Sequence, residues 1–398
     1  MTDSVEWQHF EAATLSRAAS QDRPVLLVIT APWCQHCREL MATSFADPEV
    51  VATVTESFIP VHVDSERRPD VNQRFGTGAW PTIAWLTPDG DLIAHDNFLD
   101  AAELQIRLER IRDGWRADKE NIQRRIGELW AQTDERTSTS ADQLRPEMVD
   151  DIIGAIYKQF DSVHGGLGEG IKFPHPEALD FGLVQVQKRN DNRMREVVVL
   201  TLDKMMESPL HDHVDGGFFR FSSTPDWHTP NYEKLLDQNA LLLRSYLEAF
   251  QVFGNEAYKK TAEGIVRWML HTMRDEHSGG FAGSQDGEAD YFIGDAEARA
   301  KKQAPAIDRT IYCDANAIAI SSLFKASAVL QQPEWSEHGM AATRFLLENL
   351  LDGTTVHHYW DGTYHLAGML ADQAHLIRAL IDASQNTGYA DLLVPAEK

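Results

Sequence analysis

Cysteine is scarce in this chain. Only Cys34, Cys37 and Cys313 occur in 398 residues, too few for a disulfide framework, so any fold must rest on hydrophobic cores. Basic residues are also few: 37 Lys and Arg stand against 61 Asp and Glu, a formal charge of −24. Nucleic acid and anionic membrane surfaces would repel such a chain, so neither is an expected partner. The acidic surface is either ordinarily solvated or suited to a salt-rich cytoplasm. No apolar run approaches the ~18 residues of a membrane span. The first ten residues hold Asp3 and Glu6 and no basic cluster, unlike a secretory signal, so a cytoplasmic location is expected.

The length implies two domains. Residues 1–118 alternate helical and strand patterns. Val5 to Ala19 is expected to form an amphipathic helix. Val25 to Thr30 is a continuous apolar run suited to a strand buried on both faces. Ala31-Pro32-Trp33 breaks it, and a helix is expected from about Cys34. Asp47 caps another helix with Pro48 at its first position. Strands are expected at Ile59 to Val63 and Thr82 to Leu86. The turn Thr87-Pro88-Asp89-Gly90 leads into a hairpin strand, Asp91 to Ala94. A helix from about Asp100 to Arg116 closes the unit, giving an α/β fold of thioredoxin-like order.

Residues 119–143 read as a linker whose first half can be helical; Thr137-Ser138-Thr139-Ser140 lacks apolar period and is expected to be mobile. From 144 to 398 the pattern is helical alone. Leu144, Met148, Ile152, Ile156 and Phe160 mark one stripe. Further helices are expected near 176–189, 193–207, 232–253, 255–274, 308–330, 335–350 and 370–385. Glycine turns recur between them (Gly165-Gly166-Leu167, Gly216-Gly217-Phe218, Gly279-Gly280-Phe281). So does a polar helix start (Asp237-Gln238-Asn239, Asp314-Ala315-Asn316, Asp372-Gln373-Ala374). Repeated helical hairpins of this kind imply an all-α (α/α) toroid. About eight helices are present, where a closed ring of six hairpins takes twelve, so the ring is expected to be incomplete.

The chemistry in the first domain is the Trp33-Cys34-Gln35-His36-Cys37 segment. A free thiol is mostly protonated at neutral pH, and thiolate is the nucleophile. Placing Cys34 at a helix N-terminus exposes it to unpaired N–H groups that stabilise the anion. Cys37, one turn on, can then resolve a mixed disulfide. A protonated His36 would favour thiolate further, and Trp33 can shield the pair. Zinc would need four ligands, and no second Cys or His pair lies nearby. An inert pair is the remaining alternative. No cofactor or metal is expected. Cys313, among Ile311, Tyr312 and Ile318, reads as a small buried hydrophobe.

This segment, with Trp80-Pro81-Thr82 about 45 residues later, resembles thioredoxin. The resemblance implies that Cys34 and Cys37 are the catalytic pair. It also implies that Pro81 is cis and that Trp33, His36, Trp80, Pro81 and Thr82 border the substrate. One departure stands out. Thioredoxins carry a buried acid six residues before the first cysteine, and here that residue is Val28.

Further marks are Ser44-Phe45, Val63 to Val71, Leu86 to Gly90, Lys172-Phe173-Pro174-His175-Pro176 and Tyr232 to Leu236. Together they are similar to a family that joins a thioredoxin-like domain to a six-hairpin α/α toroid. It includes the spermatogenesis-associated thioredoxin-domain proteins and bacterial relatives. The loop Phe75 to Ala79 is shorter than that family's, and the toroid stops near its eighth helix. Toroids of this kind resemble sugar epimerases and glycosidases. The resemblance makes Lys172, His175, Glu233, Lys234, Asp237, Asn239, Asp314 and Asn316 candidates for a sugar-like ligand site, with Phe173, Trp227, Tyr232 and Trp360 as stacking surfaces. The bland reading treats these as caps, surface charges and core. His211-Asp212-His213 and His357-His358 are expected in solvated loops.

Three functions remain open. The leading one is a thiol–disulfide oxidoreductase acting on a protein or small-molecule disulfide, with the helical domain selecting the client. The others are a carbohydrate-binding or carbohydrate-active toroid, and a non-enzymatic interaction module.

Overall fold

The computed structural model describes residues 4–137 and 145–397. The chain divides into two compact units, 1–144 and 145–398. The Ser138-Thr139-Ser140 stretch and Leu144 lie outside the described residues.

In the first unit the order is α1 (Ala12–Gln21), β1 (Val25–Thr30), α2 (Gln35–Ala42), α3 (Pro48–Ser57), β2 (Ile59–Asp64), α4 (Pro69–Phe75), β3 (Thr82–Leu86), β4 (Leu92–Asp96) and α5 (Ala101–Thr137). The sheet runs β2-β1-β3-β4. β1 is parallel to β2 and antiparallel to β3. Every residue of β1 is buried, because its side chains alternate between two apolar layers. Leu26 and Val28 face Leu40, Val50, Val54, Leu104 and Leu108. Leu27 and Ile29 face Ala18, Val71 and Phe75. Asp47 caps α3 as expected, its carboxylate accepting the N–H groups of Glu49 and Val50.

Two expectations are corrected here. The first helix begins at Ala12, not Val5. Gln8 instead bridges to β2, donating its N–H to Pro60 O and accepting that of His62, so sheet bonds outcompete a short helix extension. α5 also runs past residue 118. Asp118 has non-helical angles (φ −149°, ψ 35°) and kinks it. The helix expected to end near Arg116 resumes through Thr137, so the helical part of the expected linker extends beyond its first half.

The second unit contains eight long helices among the described residues: α6 (Glu147–Gln159), α7 (Pro176–Arg189), α8 (Asn192–Glu207), α9 (Leu236–Phe253), α10 (Glu256–Trp268), α13 (Cys313–Leu330), α14 (Pro333–Asn349) and α15 (Leu370–Thr387). Two single-turn helices, α11 (Ala289–Phe292) and α12 (Ala296–Arg299), lie between α10 and α13. One layer consists of α7, α9, α13 and α15, each packed on the next. Behind it, α8, α10 and α14 pack on α7, α9 and α13 in turn. α13 is long and apolar enough for a membrane span by length and composition alone. It is instead the centre of this core, with 72% of it buried.

The pattern is not helical alone. Lys234–Leu235 and Ile307–Asp308 both pair with Ser284–Gln285, so α9 and α13 begin later than the apolar period predicts. Thr355–Trp360 and Tyr364–Ala367 form a hairpin around Asp361-Gly362, a turn signal between β-prone residues.

The glycine turns share one construction. Asp161, Asp212 and Asp275 each use a carboxylate to accept the N–H groups two and three residues on. Each backbone also exchanges bonds with the following glycines. Gly216 sits at φ +88°, and a Cβ there would lie 2.0 Å from Gly264 O, so no other residue fits. Asn239 then clamps the loop. Its Oδ1 accepts the Phe218 N–H at 2.7 Å, and its Nδ2 donates to Phe218 O and Leu235 O. Asn316 does the same for Phe281.

Asn239→Ala would strand a buried N–H and a buried carbonyl. A loss of about 2–4 kcal/mol of unfolding free energy is expected, measurable by urea denaturation; an unchanged midpoint would contradict the clamp.

Candidate functional sites

In the first unit, α2 starts at the cysteine pair because β1 ends at Thr30 and Ala31-Pro32-Trp33 redirects the chain. Cys34 is the N-cap of α2, and its Sγ accepts the Cys37 N–H at 3.1 Å. Cys34 and Cys37 are joined as a disulfide. They are 4% and 2% exposed. Trp33 is buried beside them, and its ring lies 5.3 Å from that of Trp80. The Trp80–Pro81 bond is cis, as the resemblance implies. The loop carrying Pro81 therefore lies against the dithiol segment.

Not all of the expected substrate border faces outward. Trp33 and Thr82 are buried, and Thr82 Oγ1 is spent on Thr77 and Ala79. The open rim is His36, exposed and 3.5 Å from Glu39, with half-exposed Trp80 and Phe98. The Phe98 ring lies 6.2 Å from His36. Phe98 carries no sequence signal, since it follows β4 in an irregular stretch.

Val28 is fully buried in the apolar layer. Its register partner on β2 is His62, whose Nε2 lies 2.8 Å from Thr30 Oγ1. Burial and nearby His9 push the His62 pKa down, so a neutral imidazole stands one strand away from the position where thioredoxins place an acid.

In the second unit the candidate residues divide. Lys172, Lys234, Asn239 and Asn316 are fully buried, which corrects their expected place in a ligand site. Lys172 Nζ donates to Asp161 and Gly168 O. Lys234 Nζ donates to Asp212 at 2.6 Å and Gly216 O at 2.8 Å, ringed by Phe219, Trp268 and Phe292. Burial lowers its pKa to about 8 despite Asp212. Burial alone would raise Asp212, but Lys234 and Arg299 hold it at about 2. These lysines bind loops. Trp227 is likewise core, with Nε1 donating to His164 O.

The His-rich segments are only partly solvated: His213 is exposed in its loop, but its neighbours and His358 are not. His358 lies on the Thr355–Trp360 strand, 3% exposed. Asp212 is 2% exposed, and burial takes the His211 pKa down to about 4.

Asp237 and Asp314 remain open candidates. They sit in the first turns of α9 and α13, with Glu177 and Asp372 in the first turns of α7 and α15. Adjacent packing of these helices gathers four acids at one end of the layer. Asp237 is exposed to solvent. Desolvation by the packed helix ends around it, with repulsion from Asp314 and Glu177, pushes its carboxyl up to about 6. His175 begins α7 in a left-handed conformation (φ 47°), exposed to solvent. Glu233 is half-buried before α9.

Asp314, His358 and Asp372 bring donor atoms within 4.8 Å of one another, a spacing that could hold a metal ion. Both Asp372 oxygens already lie 3.0 Å from His358 Nδ1, and Oδ1 also accepts the Asp314 N–H. The trio is thus internally satisfied on the Asp372 side.

A family model described as Thioredox_DsbH, protein of unknown function (DUF255), matches residues 1–143. Spermatogenesis-associated protein 20 of Homo sapiens is 29% identical over 311 residues, covering 72% of this chain and 39% of that protein. The chain thus spans about two fifths of the length of that curated relative. Protein disulfide isomerase-like 2-1 of Oryza sativa subsp. japonica is 31% identical over 80 residues, 20% of this chain and 21% of that protein. A crystal structure of D-mannose isomerase superposes with a TM-score of 0.51 at 10% identity, covering 63% of this chain and 66% of that one. The chain therefore joins a thioredoxin-like domain to a helical unit with an α/α-toroid fold, in which α7, α9, α13 and α15 form the inner layer.

A carboxyl raised to about 6 is protonated when folded and ionised when unfolded between roughly pH 4 and 6, so its stabilising contribution fades as pH rises through that window. Asp237→Asn should raise the melting temperature at pH 7 by the equivalent of ~1 kcal/mol or less, since solvent still reaches the group. The difference should vanish below pH 4. A lower melting temperature at pH 7 would contradict the raised pKa.

Proposed function

We propose that the first unit exchanges disulfides with a protein or small-molecule partner through Cys34 and Cys37. The observation that carries this reading is the position of Cys34, which caps α2 with its sulfur aimed at the open N–H groups of the first turn. In the reduced protein those donors favour thiolate at Cys34. The thiolate attacks one sulfur of a partner disulfide. A Cys34–partner bond forms, and the other partner sulfur leaves as thiolate. Cys37 then attacks Cys34, remaking the intramolecular disulfide and releasing the second partner thiol. Two electrons pass to the partner, and a dithiol donor restores the pair; run backwards, the same steps oxidise a partner dithiol. Exposed His36 and Phe98 offer the border a partner would meet.

With dithiothreitol as electron donor, the wild-type chain should accelerate insulin reduction, and Cys34→Ser should fall to the uncatalysed rate. Cys37→Ser should accumulate a mixed disulfide visible by mass spectrometry. Equal rates for Cys34→Ser and wild type would refute the reading.

The gathering of Glu177, Asp237, Asp314 and Asp372 in the first turns of adjacent helices favours a second reading for the helical unit. We propose that the acids opening α9 and α13 bind a hydroxyl-rich, sugar-like ligand, and that Asp237 holds or moves a proton on it. The D-mannose isomerase likeness supports the fold only. A ligand from a panel of neutral sugars should raise the melting temperature of the wild type but not of Asp237→Ala. No shift with any sugar would count against this reading.

A further inference from the structure

The faces of α9, α13 and α15 that carry the terminal acids continue two turns further along. Seven residues beyond Asp237 and Asp314 stand Arg244 and Ser321, about 10 Å along each helix. With Glu248, Phe324, Lys325, Arg378, Asp382, Gln385 and Asn386 they line a cavity of about 300 Å³.

Three cations line this cavity with Glu248 and Asp382, and Asp180 stands beside it as a third acid. The cations are unequally engaged. Lys325 is held by Glu248. Arg378 uses Nε on Asp382 at 2.9 Å, and its four terminal N–H groups make no hydrogen bond among the described residues. Arg244 is half-buried, and its nearest acid, Asp180, lies 3.7 Å away, beyond hydrogen-bond reach. Asp180 faces Arg244 through Oδ2 while its Oδ1 accepts from Ser245; burial pushes its pKa up, and Ser245 and Arg244 oppose that.

Ser321 supplies an independent sign. It is 6% exposed, and its buried hydroxyl has no hydrogen-bond partner. The adjacent Ser322 shows the usual outcome, bonding Ala240 O and Ile318 O. Leaving a buried hydroxyl unpaired is costly. Arg244, half-buried, and Arg378, exposed, thus carry guanidinium N–H groups that make no hydrogen bond among the described residues, and two guanidinium groups suit a planar or tetrahedral oxyanion.

We propose that this cavity binds a small oxyanion, a carboxylate or a phosphate group, with Arg244 as its main partner and Arg378 and Ser321 as further donors. The site is separate from the dithiol and does not depend on either reading above.

The test is calorimetric titration of the full chain at low ionic strength with inorganic phosphate, with succinate, and with chloride at matched ionic strength. Saturable one-site binding of phosphate or succinate, but not chloride, is expected, and the stronger of the two identifies the group. Arg244→Gln should weaken it about tenfold or more, and Arg378→Gln and Ser321→Ala by roughly threefold or more. Melting curves confirm that each variant is folded; if Arg244→Gln is not, Arg378→Gln and Ser321→Ala decide. Failure of both anions to bind, equal binding of chloride, or affinity unchanged in the folded variants would overturn the proposal.

Discussion

The first turn of a helix leaves backbone N–H groups without intrahelical partners, and both units of this chain build their candidate chemistry on that constraint. In the first unit the open donors meet the sulfur of Cys34. In the second, four neighbouring helices begin with acids, Glu177, Asp237, Asp314 and Asp372. A helix start favours negative charge. Gathering several such starts sets that preference against desolvation and mutual repulsion, and at Asp237 the carboxyl is held above its ordinary value.

The loops that hold these starts in place are expensive. Lys234, Asp212 and Arg299 bury charge almost completely, and removing any one would leave its partners uncompensated. What the network gains is a fixed path for the glycine turn at Gly216, whose carbonyl Lys234 holds. Asn239 and Asn316 repeat the logic with neutral groups. The recurring Asp–Gly-Gly and Asn positions are thus one structural device copied along the chain, and the reactive positions sit beside it.

Much of the fold was legible in the sequence because apolar period and breakers agreed. The all-apolar Val25 to Thr30, the break at Pro32 and the capping Asp47 place the dithiol at a strand–helix junction from sequence alone. Facing was harder to read. Lys172 and Lys234 look like ligand groups by type, but type does not reveal which way a side chain turns. Val5 to Ala19 has helical period, yet sheet bonding at Gln8 overrides it. The Arg244–Ser321–Arg378 cavity left no trace, since its lining is shared among three helices and each arginine reads singly as a solvated charge. His62 escaped notice for a similar reason: its relation to Val28 is one of strand register, which no local pattern encodes.

The central claim is that the Cys34–Cys37 pair is an exchangeable redox couple and not a structural bridge. Equilibrating the full chain in glutathione buffers and counting free thiols by alkylation tests it most directly. The account predicts a single two-electron transition between about −270 and −120 mV, the span of known exchange domains. A pair that stays oxidised below about −300 mV, as structural disulfides do, would contradict it.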